Sequence, residues 1–360
     1  MTTTKNNEHK KLNAPNLRFP EFEGEWEKCK FKDVCSTSTG NKNTQDKIDD
    51  GIYPFYVRSQ TVERINSWTF DGEAILTAGD GVGVGKVFHH TYGKIGVHQR
   101  VYILSNFKCD ANYLFHFFSS HFYNRVKRMS AKNSVDSVRK EMITEMPLYL
   151  PSKQEQAKIG VLLSLLDERI ATQNKVIDKL QSLIKGIAHK ISKQGKPNIR
   201  LSECLECSST TLQESDVAEV GAYPVYGANG IVGYLDTYST TKEAIYIIKD
   251  GSGVGSVSYV KGKCSATGTL NILQAKEGYS LRYLYFMLKV FNFEPYKTGM
   301  AIPHIYFKDY RKAKIYCPNY ELQNKCANLL YEIEQKATIE QKILDNLCSQ
   351  KQYLLRQMFI

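Results

Sequence analysis

The sequence predicts an α+β protein with two tandem mixed α/β domains, each followed by one long helix. Two observations in the 360 residues predict this class. Motifs of the first half recur in the second half, and each copy ends in a long heptad pattern of apolar residues. The chain is therefore interpreted as a duplication of one unit, a globular domain with its helix.

The clearest repeated segment is rich in glycine. AILTAGDGVGVGKVFHH begins at Ala74, and AIYIIKDGSGVGSVSYV begins 170 residues later at Ala244. Tyr53–Tyr56 and Tyr223–Tyr226, each starting with Tyr-Pro, match at the same offset. We interpret the glycine-rich segment as two short strands joined by a turn, in which glycine supplies positive φ without steric cost.

The same segment resembles a phosphate-binding loop but lacks essential groups of that loop. The motif requires Gly, four residues, Gly, Lys and then Ser or Thr. Ahead of Gly85 and Lys86 the required glycine is replaced by Asp80, and Val87 stands in place of the hydroxyl residue. Lys86 is also replaced by Ser256 in the second copy. A nucleotide site is therefore the less favoured interpretation.

The helices are predicted from two seams in which apolar positions alternate in steps of four and three residues, as in a coiled coil. The first seam comprises Ile159, Leu163, Leu166, Ile170, Gln173, Ile177, Leu180, Ile184, Ile187 and Ile191. The second, 167 residues later, comprises Cys326, Leu330, Ile333, Ala337, Glu340, Leu344, Leu347, Lys351, Leu354 and Met358. Lys351 conflicts with an apolar seam.

We expect the two helices to form an antiparallel coiled coil, because parallel pairing would crowd both domains at one end. The alternative is that each helix packs on its own domain. Ser152 and Glu155 predict a capping box at the first helix, and Asn319 predicts an N-cap at the second. The predicted boundaries are a disordered arm at 1–16, a first domain at 17–152, its helix at 153–193, a second domain at 194–318 and its helix at 319–360.

Composition limits the class of protein further. A hydrophobic content of 42% suffices for two ordinary cores, and no transmembrane run or signal peptide is recognisable. Nine cysteines, an odd number, favour reduced thiols in a cytoplasm. Cys204 and Cys207 form a lone CxxC without a second pair, so no metal site is predicted.

Positive charge, +11 in total, concentrates just before each helix. Six basic residues and one acid lie between Arg125 and Lys140, and five basic residues and one acid lie between Tyr296 and Lys314. Recurrence at equivalent places favours a surface that follows phosphates over a merely solvated face. Two domains related by an approximate two-fold axis also suit duplex DNA. The predicted phosphate contacts are Lys127, Arg128, Lys132, Lys297, Lys312 and Lys314.

Candidate base readers are polar residues on loops near the repeated elements. Arginine suits guanine, and asparagine or glutamine suits adenine in the major groove. In the first domain the candidates are Arg58, Ser59, Gln60, Gln99, Arg100, Asn133, Ser134 and Ser137. In the second domain they are Asn229, Thr267, Thr298 and His304.

These features together resemble the specificity subunit of type I restriction-modification enzymes, from Leu17 to Ile360. The resemblance is carried by LRFPEFEGEWE, the tandem Tyr-Pro motifs, the glycine-rich hairpins, the helix starts LPSKQEQAKI and CPNYELQNKC, and the ending LLRQMFI. It implies two target-recognition domains, each reading one half of a bipartite DNA site. It also implies helices that set the spacing and dock two modification (methyltransferase) subunits and the restriction (endonuclease/translocase) subunits.

No catalytic residue is predicted in this chain. An adenine methyltransferase would need an Asn/Asp-Pro-Pro-Tyr/Phe motif and a glycine-rich methyl-donor loop, and the sequence contains neither. The resemblance implies that the methyl donor and ATP bind to partner subunits and that this chain binds no cofactor. The alternatives are a coiled-coil adaptor whose globular domains bind proteins and, less favoured, a nucleotide-binding enzyme built on the glycine loops.

Overall fold

The computed structural model describes residues 13–130, 137–251, 253–299 and 302–360. The chain divides into two compact units. One contains the residues up to Thr172 together with Leu344–Ile360, and the other is Gln173–Ile343. Each unit therefore holds one globular domain, part of the first long helix and part of the second.

The first domain and its helix run in the order β1 (Glu27–Lys30), α1 (Phe31–Val34), β2 (Ser36–Thr39), β3 (Tyr53–Tyr56), β4 (Val62–Ile65), β5 (Phe70–Ala78), β6 (Phe88–Val97), β7 (Val101–Ser105), α2 (Ala111–Met129), α3 (Lys140–Thr144), β8 (Pro147–Leu150) and α4 (Lys153–Ser192). Six strands form one sheet in the order β2-β7-β5-β6-β3-β4, and β1 pairs with β8. The apolar end of β5 is buried throughout, which explains its continuous rather than alternating apolar run.

The second domain and its helix run in the order β9 (Ile199–Arg200), α5 (Leu201–Cys204), β10 (Leu205–Ser208), β11 (Tyr223–Gly227), β12 (Gly230–Leu235), β13 (Ala244–Ile248), β14 (Val257–Val260), β15 (Ser265–Ala266), β16 (Leu270–Ala275), α6 (Leu281–Lys289), α7 (Phe307–Tyr310), β17 (Lys314–Ile315) and α8 (Tyr320–Gln357). The strand order β10-β16-β13-β14 and β15-β11-β12 repeats the first domain, except that two short strands replace β6. The break contains Gly262, whose φ is 81°.

The glycine-rich segments join paired strands in both domains. β5 pairs antiparallel with β6, and β13 pairs antiparallel with β14, which confirms the hairpin interpretation. Glycines at equivalent places in the two loops have positive φ: Gly81 (75°), Gly85 (65°), Gly251 (99°) and Gly255 (90°). A Cβ at Gly85 would lie 2.9 Å from the ring of Tyr123, and one at Gly255 would lie 3.3 Å from Cβ of Phe293. The repeated glycines therefore serve backbone conformation and close packing on an aromatic residue.

The replacement Gly255→Ala is expected to lower the free energy of unfolding of the second domain by about 2 kcal/mol. A non-glycine residue in the left-handed region costs roughly 1–2 kcal/mol, and contact with Phe293 adds to that cost. Gly262→Ala is the matched control, because its φ is also positive but nothing lies within 4 Å of the added methyl group. Urea unfolding followed by circular dichroism measures both losses, and equal losses would show that the contact with Phe293 adds nothing.

The duplication extends to individual hydrogen bonds. The hydroxyl of Tyr113 donates to the carbonyl of Tyr149 at 2.7 Å, and the hydroxyl of the equivalent Tyr283 donates to the carbonyl of Tyr316 at 2.8 Å. Both tyrosines are fully buried. Each bond ties the first helix after the sheet to the segment that leads into the long helix.

The starts of the long helices also match. The side chain of Gln156 donates to the carbonyl of Pro151 at 2.8 Å, and that of Gln323 donates to the carbonyl of Pro318 at 2.8 Å. The predicted N-cap Asn319 accepts a bond from the amide of Leu322 at 2.9 Å, which confirms it.

The predicted capping box at the first long helix is only half formed. Ser152 accepts a bond from the amide of Glu155 at 3.3 Å. The carboxylate of Glu155 instead accepts two bonds of 2.8 Å from Arg18, so the reciprocal half of the box is replaced. Asn13 accepts a backbone bond from Trp26, which anchors part of the predicted arm; residues 1–12 lie outside the described ranges.

Each long helix ends in the core of a domain. Met358 and Phe359, which directly follow α8, belong to the core of the first domain, and the ring centroid of Phe359 lies 5.3 Å from that of Tyr113. Ile191, at the end of α4, belongs to the core of the second domain. Ile191 and Met358 are equivalent seam positions, so the same device closes both cores.

Within each unit the two helices contact each other in antiparallel order. In the first unit Lys351 pairs with Asp167, and Met358 shares a core with Ile159 and Leu163. In the second unit Gln173 donates to the carbonyl of Glu340 at 2.9 Å, and Leu330 shares a core with Ile184. Every seam position on both helices is buried or half-buried. The pairing with Asp167 explains how Lys351 is accommodated.

Candidate nucleic-acid interface

A polar cleft opens beside the glycine-rich hairpin of the first domain. It has a volume of about 360 Å³, and its lining residues include Asp80, Gln99, Arg100 and Ser137. Asp80 follows β5, and Gln99 and Arg100 precede the adjacent strand β7. The sheet order therefore brings three predicted base readers to one edge.

Two arginines share the carboxylate of Asp80, which lines this cleft. Nη1 of Arg58 lies 2.9 Å from Oδ1 of Asp80, and Nε of Arg100 lies 3.6 Å from Oδ2 of the same residue. Ser137 forms an antiparallel bridge with Asp80. Asp80 was not among the predicted base readers, although its position in a repeated loop could have indicated a role.

The predicted readers of the first domain also make hydrogen bonds outside this cleft. The side chain of Gln99 donates to Asn43 at 2.7 Å, and the hydroxyl of Ser59 donates to the carbonyl of Thr61 at 3.2 Å. Gln60 is exposed beside Ser59. Asn133, Ser134 and the predicted phosphate contact Lys132 lie outside the described residues.

The second domain places His304 at its glycine-rich hairpin. His304 forms an antiparallel bridge with Asp250, as Ser137 does with Asp80 in the first domain. Thr298 also bridges His304, with backbone bonds of 2.9 and 2.8 Å. Two predicted readers, Thr298 and His304, are therefore adjacent, at the place equivalent to the cleft of the first domain.

The remaining two candidates of the second domain differ in exposure. Asn229 is exposed in the two-residue turn between β11 and β12. Thr267 is only 1% exposed, and its hydroxyl is 2.7 Å from that of Thr269. A side chain buried in this way cannot reach a base, so Thr267 leaves the set of candidates.

The basic residues that precede the long helices differ in exposure and in hydrogen bonding. Lys127 and Arg128 are exposed in the last turn of α2. Arg125, counted in the same basic stretch, donates to the carbonyls of Met142 at 2.7 Å and Glu145 at 2.9 Å, so it holds the fold together. The stretch therefore offers less free charge than its composition indicates.

The basic residues of the second domain also differ in whether an acidic side chain pairs with them. Lys297, which is equivalent to Lys127, lies 2.6 Å from Glu294. Its charge is therefore partly matched by a neighbour on the same turn. Lys312 and Lys314 are exposed on either side of Ala313, where the chain enters β17.

A serine, a histidine and an aspartate approach one another where α2 meets α4. Nε2 of His116 lies 3.2 Å from the hydroxyl of Ser164, and Nδ1 lies 3.8 Å from Asp167. The ring of His116 is 1% exposed, and burial lowers the pKa of His116 to about 4. Asp167 is engaged by Lys351. The group is therefore a packing contact between helices.

Two further features bear on the class of site. Among the described residues no group of three or more His, Cys, Asp or Glu side chains could hold a metal ion. Within the same ranges no helix combines the length and apolarity needed to cross a bilayer.

Comparison with known proteins identifies the family. The model of the type I restriction modification DNA specificity domain matches twice, at residues 23–182 and 197–348. The chain belongs to this family. The two matches correspond to the two copies of the duplication, each including most of a long helix.

Individual family relatives are distant in sequence. The specificity subunit of the EcoDI type I restriction enzyme of Escherichia coli is 26% identical over 161 residues, 45% of this chain and 35% of the relative. A putative type I specificity subunit of Mycoplasma genitalium is 24% identical over 259 residues, 65% of this chain and 67% of the relative. The chain thus spans about a third of the first relative and two thirds of the second.

A solved structure from the family has the same fold. The S subunit of a type I restriction-modification system from M. genitalium superimposes with a TM-score of 0.74 at 19% identity, covering 96% of this chain and 99% of that one. At this identity the likeness concerns the fold. It supports a fold that contains two domains and two long helices.

Proposed function

We propose that this chain is the DNA-specificity subunit of a type I restriction-modification complex, in which each domain reads one half of a bipartite target. The observation that carries the proposal is the double family match on two equivalent domains. Each domain presents polar residues at the same hairpin, with Ser137 beside Asp80 in one and His304 beside Asp250 in the other. Base-edge recognition requires polar side chains held on such rigid elements.

In this proposal α4 and α8 form an antiparallel coiled coil that sets the distance between the half-sites. The antiparallel order of contacts in each unit and the burial of the seam support it. Gln173 and Glu340 form a polar pair within the seam, which favours one register.

The partners in this proposal are two modification subunits and the restriction subunits, docked on the long helices. Apolar side chains remain more than half exposed on these helices: Val161 (52%), Leu165 (58%), Leu329 (53%) and Ile339 (57%). Large apolar side chains left in water on a helix face favour protein contact. The nine free cysteines support a cytoplasmic location for the complex.

Catalysis in this proposal belongs to the partner subunits, which bind the methyl donor and ATP. The present chain binds and orients DNA. Its sequence lacks the methyltransferase motif, and Asp80 and Val87 occupy the places where a phosphate-binding loop needs glycine and a hydroxyl.

The proposal is tested by expressing the chain with its modification subunit and mapping methylated bases across a genome. We expect methylation at one bipartite sequence with a fixed gap. Mobility-shift assays with random duplexes, with and without the modification subunit, then measure DNA binding directly. A complex that methylates without sequence preference, or a chain that binds ATP or the methyl donor by itself, would contradict the proposal.

Replacing Lys127 and Arg128 by Gln is expected to weaken binding to all DNA sequences equally. If both contact phosphates, the slope of log K against log salt concentration falls by roughly 1.8, about 0.9 per contact. The control is Lys297→Gln, whose ammonium group already pairs with Glu294 and which should change the slope less. Titrations at several salt concentrations measure the slope, and an unchanged slope in a folded double variant would mark Lys127 and Arg128 as solvated surface.

A further inference from the structure

An acidic side chain lies among the predicted base readers of the first domain. Asp80 contacts Arg58 through one carboxylate oxygen and Arg100 through the other. The side chain of Asp80 is 25% exposed, whereas those of Arg58 and Arg100 are 45% and 65% exposed. Both guanidinium groups therefore reach solvent from a shared, more deeply placed carboxylate.

Backbone contacts hold the chain at the points from which the side chains of Asp80, Arg58 and Arg100 extend. The amide of Gly79 donates to the carbonyl of Arg100 at 2.7 Å, and the amide of Val138 donates to the carbonyl of Gly79 at 2.7 Å. A Cβ at Gly83 would lie 2.3 Å from the carbonyl oxygen of Arg58, so the hairpin loop packs directly on that residue. The carboxylate therefore acts on arginines whose backbones are already held.

This arrangement suits a base edge better than a phosphate. Exposed ion pairs contribute little to folding stability, so the value of the contact lies in orientation. A carboxylate between two arginines repels phosphate and halves the local positive charge. Each guanidinium group keeps further N–H donors, in the fork that matches O6 and N7 of guanine.

The second domain does not repeat the two arginines that contact Asp80. Asp250 recurs at the place of Asp80, but Ala228 stands where the first domain has Arg58. Thr269 stands at the place of Arg100, because its carbonyl accepts from the amide of Lys249 as that of Arg100 does from Gly79. The repeated aspartate thus has arginine partners at these positions in one copy only. Asp250 consequently provides an internal control.

We propose that Asp80 is a positioning residue that orients Arg58 and Arg100 toward guanine in the half-site read by the first domain. The inference rests on the proposed function in DNA recognition. It assigns a guanine-dependent base pair to one half-site and makes that dependence sensitive to a carboxylate that need not touch DNA.

The test is selection from a pool of randomised duplexes by the full chain with its modification subunit. The variants are Asp80→Asn, Arg58→Lys and Arg100→Lys, with Asp250→Asn as the matched control. Asp80→Asn and at least one of the arginine variants should reduce preference for the same G·C pair by roughly tenfold, within the range of a lost bidentate contact. The other half-site should be unchanged by these variants, and Asp250→Asn should leave the half-site read by the first domain as in the wild type.

Each remaining outcome has a defined meaning. If one or both lysine variants lose the G·C preference while Asp80→Asn keeps it, Asp80 has no positioning role. If Asp80→Asn alone loses that preference, Asp80 does not act through Arg58 or Arg100. If no variant changes either half-site of a clearly selected target, the whole inference is wrong, while the proposed function stands. If the wild-type complex selects no sequence, the proposed function itself fails. Thermal melting shows whether the Asp80→Asn variant is folded. If it is not, the two lysine variants, whose substituted side chains are exposed, still test whether the arginines read the G·C pair.

Discussion

Replacing residues 200–314 by the equivalent segment of another family member is expected to change one half of the recognised DNA sequence and leave the other half unchanged. Arg200 and Lys314 are Cα partners in the pairing of β9 with β17, so the two ends of the exchanged segment lie next to each other. The exchange therefore replaces the body of the second domain without altering either long helix. Methylome sequencing of cells expressing the hybrid with its modification subunit measures the new target.

The matched exchange in the first domain is residues 30–147. Lys30 and Pro147 are Cα partners in the pairing of β1 with β8, at positions equivalent to Arg200 and Lys314. This hybrid should change the opposite half-site. A change in both half-sites after either exchange would contradict independent reading by the two domains.

The donor segment must fit the helices that complete the core. Ile184, Ala188 and Ile191 of α4 lie in the same apolar cluster as Tyr283 and Leu284 of the exchanged segment. A donor with smaller side chains there would leave a cavity, which costs roughly 2–5 kcal/mol for a large-to-alanine change. Donors with Tyr and Leu at those places are therefore the informative choice. The melting temperature then distinguishes a hybrid with a destabilised core from a folded hybrid that does not recognise DNA.

The sequence alone predicted the features that depend on local pattern and repetition. The hairpins at Ala74 and Ala244 and the N-cap at Asn319 follow from short-range chemistry, and the structure confirms them. The duplication further indicated which residues should correspond, as Tyr113 and Tyr283 do through their hydroxyl bonds. Local rules suffice where a residue's partners are near in sequence or recur at a fixed offset.

Features that depend on distant partners could not be predicted in this way. Lys351 conflicts with an apolar seam in the sequence. The structure places its ion-pair partner Asp167, which is 184 residues away in the chain, beside it. Thr267 is polar and near a repeated element, yet the packed sheet buries it. Arg125 looked like surface charge, but its donors satisfy carbonyls at the end of α3.

The candidate site shows the same division. Arg58, Arg100 and Ser137 were selected from sequence as loop residues, but their convergence on Asp80 depends on the strand order of the sheet. In the sequence, Asp80 indicates only that the glycine-rich loop does not suit phosphate binding. In the proposed base-reading cleft, the same repulsion of phosphate favours contact of the two arginines with a base edge.

Inserting one heptad into each long helix is expected to lengthen the gap between the two half-sites by about three base pairs. The insertions go after Thr172 in α4 and after Ile343 in α8, where both helices pass from one compact unit to the other. Both insertions lie within three residues of Gln173 and Glu340, which contact each other within the second unit. Seven residues add roughly 10 Å at 1.5 Å per residue, against about 3.4 Å per base pair, and a whole heptad preserves the seam.

The matched control carries the heptad in α4 alone. It adds the same residues but offsets the two seams, so it should lose thermal stability and methylation rather than acquire a longer gap. The double variant should keep both half-site sequences, with reduced activity because three base pairs rotate the second half-site by roughly 100° around the duplex. Methylation mapping reads the gap directly. An active double variant with the original gap would show that the spacing is set by the domains or partner subunits and not by the length of the helix pair.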